Sequence, residues 1–318
     1  MAWIRLAGPG LRFEKNSSVN RPSSPILHQV IHSLTLAAMG RNLRSLAPAR
    51  KDCGRVAAAA AFAAVSHRDR YSIAIGGGDT ATPLNLHQRV ALLERLVGLR
   101  DRRVLDAGCG AGEFVEEFVR RGADASGVEY NAEKVARYRQ RHPDSLRVVQ
   151  GDLVRIAAPD ASFDLVLFNE VLEHVPEEEA ALAEARRLLR PQGILALFSP
   201  NRPYPFETHG VSLRRSHRPL SPWIPGVPYL PLRLGQRWLD YPARNYWPWK
   251  LNRLVRAAGF RVVGRRWLWQ TFENISGHQP GWVRMSAPAL RWLAGCLERC
   301  PGARCFGVTQ AIFAEKLN

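Results

Sequence analysis

The sequence predicts an α/β fold in which helices cover both faces of a mostly parallel sheet. Short apolar segments of strand character alternate with segments of helical spacing from about residue 86 to residue 198. A glycine-rich segment follows the first strand and opens a helix, which is typical of a tight turn between the two. The chain has 318 residues, 46% of them hydrophobic, so it can bury a substantial core.

The predicted elements begin with a helix over residues 86–97, where apolar residues recur at helical spacing and Gly98 provides a stop. Strands are predicted at residues 103–106, 125–129, 146–150, 163–168 and 193–198, and helices at residues 112–121, 132–141 and 177–190. A helix at residues 249–259 and strands at residues 260–263 and 309–314 complete the pattern. Helices between successive strands favour parallel strand pairing.

Residues 1–68 are predicted to form a basic, disordered leader before a domain at residues 69–318. The leader lacks a sustained hydrophobic period, and its only acids are Glu14 and Asp52. It also fits an organelle transit peptide, and translation from Met39 is a third interpretation. We expect a cytoplasmic protein, with a peripheral membrane contact as a further option and a mitochondrial location if the leader is a transit peptide.

The net charge is +17, from 45 Lys and Arg against 28 Asp and Glu. This excess suits an anionic partner, but a basic tail and solvated faces account for it more simply, so no specific nucleic-acid partner is expected. No apolar run reaches the roughly 18 residues of a transmembrane helix. The five cysteines contain no CxxC pair, which argues against a disulfide framework or a zinc site.

The glycine-rich segment, Val104–Gly112, is the strongest functional signal. It places Gly108, Gly110 and Gly112 after a strand, where a ligand can approach the backbone. An acid, Asp106, precedes the glycines and would repel a pyrophosphate but attract a cationic amino group. This argues against NAD as the cofactor.

Two further acids follow the next strands. Glu129 ends the second strand, 21 residues after Gly108, where a carboxylate can accept both hydroxyls of a ribose. Asp152 follows the third strand, where it can accept from an adenine amino group. Together with the glycine segment, these residues resemble the class I S-adenosylmethionine-dependent methyltransferases, firmly over residues 103–198 and loosely over residues 249–314.

The resemblance implies a Rossmann-like fold with a seven-stranded, mostly parallel sheet and S-adenosylmethionine as the cofactor. It implies that Asp106 lies near the methionine part of the cofactor, Glu129 binds the ribose and Asp152 binds the adenine. It also implies that the three glycines allow close backbone approach and that Asn169, after the fourth strand, contacts the cofactor.

The stretch Asp164–Pro176 resembles the ubiquinone-biosynthesis O-methyltransferases and related small-molecule methyltransferases. Residues 190–193 match that family's turn before the fifth strand, with Gln192 where a second glycine is usual. The resemblance implies a small-molecule acceptor methylated at oxygen, with a lipid-tailed phenol or quinol as the first expectation. A glycan or glycolipid hydroxyl is the second.

Methylation of a hydroxyl requires a base, and His174 at the cofactor end of the sheet is the first candidate. Glu170, Glu173 and His174 have i, i+3 and i+4 spacing, so a helical turn would place them on one face. Such a face also suits a divalent ion. A purely structural interpretation is that the acids stabilise the start of a helix and the histidine caps it or packs against the protein. We assign Glu173, His174 and His209 as catalytic candidates and assign no metal.

Residues 202–249 are rich in Pro, Trp, Tyr and Arg and have little regular period. We predict an inserted lid whose aromatic residues cover an apolar acceptor or form a small core of their own. These aromatic residues are Tyr204, Phe206, Trp223, Trp238, Tyr241, Tyr246, Trp247 and Trp249.

Two other functions compete with small-molecule methylation. The net charge supports an RNA- or protein-modifying methyltransferase, although the sequence has no RNA-binding appendage and no Asn-Pro-Pro-Tyr motif after the fourth strand. A binding module that keeps the fold without catalysis is the other alternative, and the intact cofactor residues argue against it.

Overall fold

The structure is a computed structural model and describes residues 84–221, 224–273 and 281–317. The predictions for the leader at residues 1–68, for residues 69–83 and for Trp223 lie outside these residues.

The strands form a large sheet and a small hairpin. They are β1 (Arg103–Ala107), β2 (Asp124–Glu129), β3 (Val148–Gln150), β4 (Phe163–Asn169), β5 (Leu189–Pro200), β6 (Ser212–Leu213), β7 (Leu239–Asp240), β8 (Phe260–Leu268) and β9 (Thr309–Lys316). The large sheet has seven strands in the order β3-β2-β1-β4-β5-β9-β8, and β6 pairs with β7. Strands β1 to β5 are parallel, and β9 runs antiparallel to both its neighbours. The predicted seven-stranded, mostly parallel sheet is confirmed.

Eight α-helices lie within the described residues. They are α1 (Leu84–Val97), α2 (Glu113–Arg120), α3 (Ala132–Arg141), α4 (Glu178–Leu188), α5 (Leu232–Gly235), α6 (Pro248–Ala257), α7 (Gly281–Met285) and α8 (Ala287–Arg299). Helices α1, α2 and α3 contribute to the apolar core on one face of the sheet, and α4 and α6 to the core on the other. Strand β4 is buried on both faces: Leu165 and Leu167 join one core, and Val166 and Phe168 join the other. Its continuous apolar run follows from this double burial.

Several predicted boundaries differ from the structure. β3 starts at Val148 rather than residue 146, and α4 ends at Leu188 because β5 already pairs with β4 at Leu189. Gln192, where the resembled family usually has glycine, adopts a left-handed φ of 62°. Helices α7 and α8 were not predicted, although Leu290, Leu293 and Leu297 of α8 have helical spacing; the helix buries only Ala287 and Ala294.

The segment at residues 202–249 contains the β6–β7 hairpin and a small apolar cluster of its own. Val211, Val227 and Leu239 form that cluster, with Tyr241 packed against it. Tyr246 instead joins the main core beside α4 and α6. Among the described helices, none has both the length and the apolar character needed to span a membrane.

Candidate active site

Three predicted cofactor residues lie at the carboxyl ends of adjacent strands. Asp106 is near the end of β1, Glu129 ends β2 and Asn169 ends β4. β1 lies between the other two strands, and all three are parallel. Their side chains therefore share the sheet edge at which open α/β sheets bind ligands.

The turn after β1 depends on glycine. The amides of Gly108 and Cys109 donate to the Val128 carbonyl at 2.7 and 3.1 Å, and Gly108 has a φ of 89°. A Cβ on Gly112 would lie 2.4 Å from the Tyr138 ring, so no larger residue fits there. A Cβ on Gly110 would meet no atom within 4 Å. Open space above Gly110 leaves room for a ligand against the backbone.

Glu129 is bonded to this turn. Its Oε2 accepts from the Gly110 amide and its Oε1 from the Asn131 amide, both at 2.9 Å. Asn131 also caps α3, since its side chain accepts from the Glu133 amide at 2.8 Å. Each carboxylate oxygen keeps a lone pair for a further donor, which suits a pair of ribose hydroxyls.

Asp106 is the most perturbed acid of the turn. It is 1% exposed, and its Oδ1 has no hydrogen-bond partner among the described residues. Burial, with smaller contributions from the negative charges of Glu129 and Glu113, raises the pKa of Asp106 to about 8. A buried, unpartnered carboxyl of this kind is stabilised by a cationic ligand group.

Asp152 is exposed on the turn after β3, where its Oδ1 accepts from the Val154 amide at 3.1 Å. No described contact tests the predicted role of Asp152 toward adenine.

Arg89 in α1 is a site residue that the sequence analysis missed. It is buried, and its guanidinium donates to Asn169, to Glu170 and to the Thr309 hydroxyl. The guanidinium carbon also lies 5.3 Å from the centre of the Phe198 ring. Arg89 thus links α1 to the ends of β4, β5 and β9.

The prediction that Glu170 shares a helical face with Glu173 and His174 is wrong. Glu170 has a left-handed φ of 55°, and the following turn, Leu172–His174, is a single 3₁₀ turn. Burial favours a raised pKa for Glu170, but the charge of Arg89, with a contribution from His209, lowers it to about 2. Glu170 is therefore an ionised partner of Arg89.

The structure brings the three catalytic candidates together. One ligand-type atom from each of Glu173, His174 and His209 lies within 4.8 Å of the others. The two imidazole rings meet edge to face, with centres 5.3 Å apart. His209 Nε2 lies 3.7 Å from Glu173 Oε1. The cluster sits just beyond β4, and its His209 comes from the inserted segment.

Glu173 is the buried member of this cluster. Both of its carboxyl oxygens lack a hydrogen-bond partner among the described residues. Burial, with a smaller contribution from the charge of Glu170, raises the pKa of Glu173 well above its ordinary value. His174 Nδ1 lies 3.2 Å from the Pro242 carbonyl, so a proton on Nδ1 leaves Nε2 as the basic nitrogen.

Glu207 positions His209, and the sequence analysis did not single it out. It is buried, and its Oε1 accepts from the amides of Thr208 and His209 at 3.0 and 3.2 Å. Its Oε2 accepts from the Asn245 side chain at 2.8 Å. The backbone of His209 is therefore held from the far end of the insertion.

Comparison with known proteins identifies the family. The family model described as a methyltransferase domain matches residues 105–197. The demethylmenaquinone methyltransferase of Beutenbergia cavernae is 32% identical over 183 residues, which cover 56% of this chain and 73% of that protein. The chain belongs to the class I S-adenosylmethionine-dependent methyltransferases.

Other relatives of this methyltransferase match shorter segments. The ubiquinone biosynthesis O-methyltransferase of Psychrobacter arcticus is 37% identical over 122 residues, covering 36% of this chain and 46% of that protein. The chain spans between 27% and 46% of the length of the first curated relatives. A solved S-adenosylmethionine-dependent methyltransferase from Mesorhizobium loti has 19% identity and a TM-score of 0.49, covering 71% of this chain and 96% of that chain.

The cofactor of this methyltransferase family is S-adenosylmethionine, as predicted, and the residues at the sheet edge fit it. The cofactor carries a cationic amino group and a sulfonium, which suit the unpartnered carboxyl of Asp106. Its ribose hydroxyls suit Glu129, and the open space above Gly110 accommodates a ligand backbone.

Proposed function

We propose that this protein methylates a hydroxyl of a small phenol or quinol, using S-adenosylmethionine. The cluster of Glu173, His174 and His209 carries the proposal, because oxygen methylation releases a proton that a nearby base must accept. The relatives named for ubiquinone biosynthesis and for demethylmenaquinone support a quinone-type acceptor. A glycolipid hydroxyl is the second acceptor class.

The proposed mechanism assigns separate tasks to the two halves of the site. When bound there, S-adenosylmethionine would supply the methyl group to the acceptor oxygen, with S-adenosylhomocysteine as the other product. Asp106 binds the cationic amino group, and Glu129 accepts hydrogen bonds from the ribose hydroxyls. Asp152 and Asn169 complete the cofactor contacts.

The acceptor proton passes to the catalytic cluster. His174 Nε2 accepts it, with its Nδ1 held at the Pro242 carbonyl. Burial favours the protonated form of Glu173, but positive charge that develops on the imidazoles opposes this and favours its ionisation. The carboxylate then stabilises the imidazolium, with its Oε1 3.7 Å from His209 Nε2. The insertion at residues 202–249 brings His209 into place and acts as the lid over the acceptor.

A divalent ion is the competing mechanism at the same three side chains. A carboxylate and two imidazoles suit such an ion, which would lower the pKa of the acceptor hydroxyl. Treatment with a chelator separates the two mechanisms: proton transfer to a histidine survives it, and metal-assisted transfer does not.

The test is transfer of a radiolabelled methyl group from S-adenosylmethionine to defined acceptors. We expect labelled ether product from a short-chain catechol or quinol, and none from the same compound with its hydroxyls already methylated. Separate arms contain glycolipid, RNA and protein fractions. Label that appears only in RNA or protein would refute the proposal and favour the macromolecular alternative, which the net charge of +17 supports.

A further inference from the structure

Helices α7 and α8 carry an unusually apolar exposed face. The α7–α8 face comprises Trp282, Met285, Trp292 and Leu293, which are 58%, 81%, 73% and 46% exposed. The inner side of α8 fully buries only two alanines. Large apolar side chains thus point outward where a helix on a solvated surface normally carries polar ones.

The charges around this face are almost all positive. Arg284 and Arg299 are exposed, and Arg291 is half-buried. Glu298 is the only acid between residues 281 and 299, and its carboxylate accepts from Gln88 in α1 at 3.5 Å. The pattern of aromatic side chains with flanking arginines matches helices that lie in a membrane interface.

A basic pocket of about 380 Å³ adjoins α8. It is lined by Arg265, Arg266, Trp267, Glu298 and Arg304. The guanidinium carbons of Arg265 and Arg304 lie 6.0 and 5.6 Å from the centre of the Trp267 ring. The buried indole Nε1 of Trp267 has no acceptor among the described residues. Three guanidiniums and an unused donor, against one acid, suit a phosphate group.

We propose that the α7–α8 face docks on an anionic phospholipid bilayer. Trp292 and Met285 enter the interfacial region, and the pocket around Trp267 takes a lipid phosphate. Apolar burial and attraction between arginine and anionic lipid together supply the binding. The pocket favours lipid over a second copy of the chain, because a purely apolar contact between copies would not use the phosphate donors.

The purpose of such docking rests on the proposed function, with a quinol on a lipid tail as the acceptor. α8 contacts α1 through Glu298 and Gln88, and the next residue, Arg89, bonds to Asn169 and Glu170 at the active site. A bilayer against α8 would therefore lie beside the helix that borders the site. On this inference, docking holds a lipid-tailed acceptor in the bilayer beside the helix that borders the site.

The test is co-sedimentation of the full chain with phosphatidylcholine vesicles, with and without phosphatidylglycerol. We expect binding to the phosphatidylglycerol vesicles. The pair Met285→Ser with Trp292→Ser should weaken it by about tenfold or more. The pair Arg265→Ser with Arg304→Ser should remove the preference for phosphatidylglycerol. Trp249→Ser, which changes a tryptophan 63% exposed on α6, is the matched control and should bind like the parent.

The proposed docking surface would be refuted if the parent did not bind anionic vesicles, or if the Met285/Trp292 variant bound them as well as the parent. It would also be refuted if the parent formed a dimer that the variant lost, without any vesicle binding. The second outcome would place vesicle binding elsewhere on the chain. Methyl transfer to a water-soluble quinol is measured on the same proteins. If vesicle binding depends on Trp292 but no quinol is methylated, the proposed docking surface stands and the proposed quinol acceptor is refuted.

Discussion

Arg89 in α1 donates to the side chain of Asn169, the last residue of β4. The same guanidinium pairs with Glu170, so one buried cation holds the backbone just before the proposed catalytic cluster. Glu170 also accepts from the Thr309 hydroxyl at 2.9 Å. The left-handed φ of Glu170 is strained for a residue with a side chain, and these bonds offset the strain.

Arg89→Met should destabilise the protein and reduce methyl transfer. The change leaves Glu170 ionised without its buried partner, and the expected loss is about 2–3 kcal/mol. This value lies below the roughly 3–5 kcal/mol expected for a fully buried pair, because the Glu170 side chain is 32% exposed. Urea denaturation measures the loss, and Arg95→Met, an exposed change in the same helix, should have little effect.

Adding Glu170→Gln to Arg89→Met should recover part of the lost stability, since it removes the unpaired charge. Because the pKa of Glu170 is lowered to about 2, the Arg89–Glu170 pair contributes its full stability to the parent above the ordinary pKa of 4.5. This contribution is lost as the pH falls toward 2. A double variant no more stable than Arg89→Met would contradict the assigned pair.

The parts of the site that are local in sequence were predictable, and the parts that depend on distant contacts were not. The glycine turn and Glu129 follow from strand ends that the apolar pattern locates. Arg89 lies 80 residues before Asn169, and nothing in the amphipathic pattern of α1 distinguishes it from a solvated arginine. Glu207 was equally invisible, because its role depends on Asn245, 38 residues away.

Asp106 should couple cofactor binding to proton release. Its pKa is raised from 3.8 to about 8, so between these values the free protein holds a proton that a cationic ligand displaces. Affinity for S-adenosylmethionine should then rise with pH, by at most about tenfold per pH unit, and level off above pH 8. Calorimetry in buffers of different ionisation enthalpy measures the released proton.

Asp106→Asn should abolish that proton release, whereas Asp144→Asn, at an exposed position, should retain it. The stability of the ligand-free protein should depend on pH in the opposite direction to its cofactor affinity. A carboxyl whose pKa is raised by folding costs stability once it ionises, so unfolding free energy in the ligand-free parent should fall between pH 3.8 and about 8. Proton release that persists in Asp106→Asn would assign it to another group.

Glu129→Ala should weaken S-adenosylmethionine binding by about 10- to 100-fold, while the fold is retained. The change removes an acceptor for the ribose hydroxyls and leaves the amides of Gly110 and Asn131 without their partner. Calorimetry against the cofactor measures the effect, and Glu179→Ala on the exposed side of α4 is the control. Undiminished affinity would refute the ribose assignment.

The last prediction concerns the proposed catalytic cluster of Glu173, His174 and His209. His174→Ala, His209→Ala and Glu173→Gln should each lower the methyl-transfer rate by about 10²-fold, because the acceptor proton then lacks its base or the charge that stabilises it. Cofactor affinity should stay nearly constant, since Asp106 and Glu129 are unchanged. Single-turnover transfer measures the rate, with the exposed His87→Ala as control. Loss of methyl transfer by the parent on treatment with a chelator would favour the metal-assisted mechanism over proton transfer to a histidine. Near-normal rates in both histidine variants would exclude the cluster from catalysis.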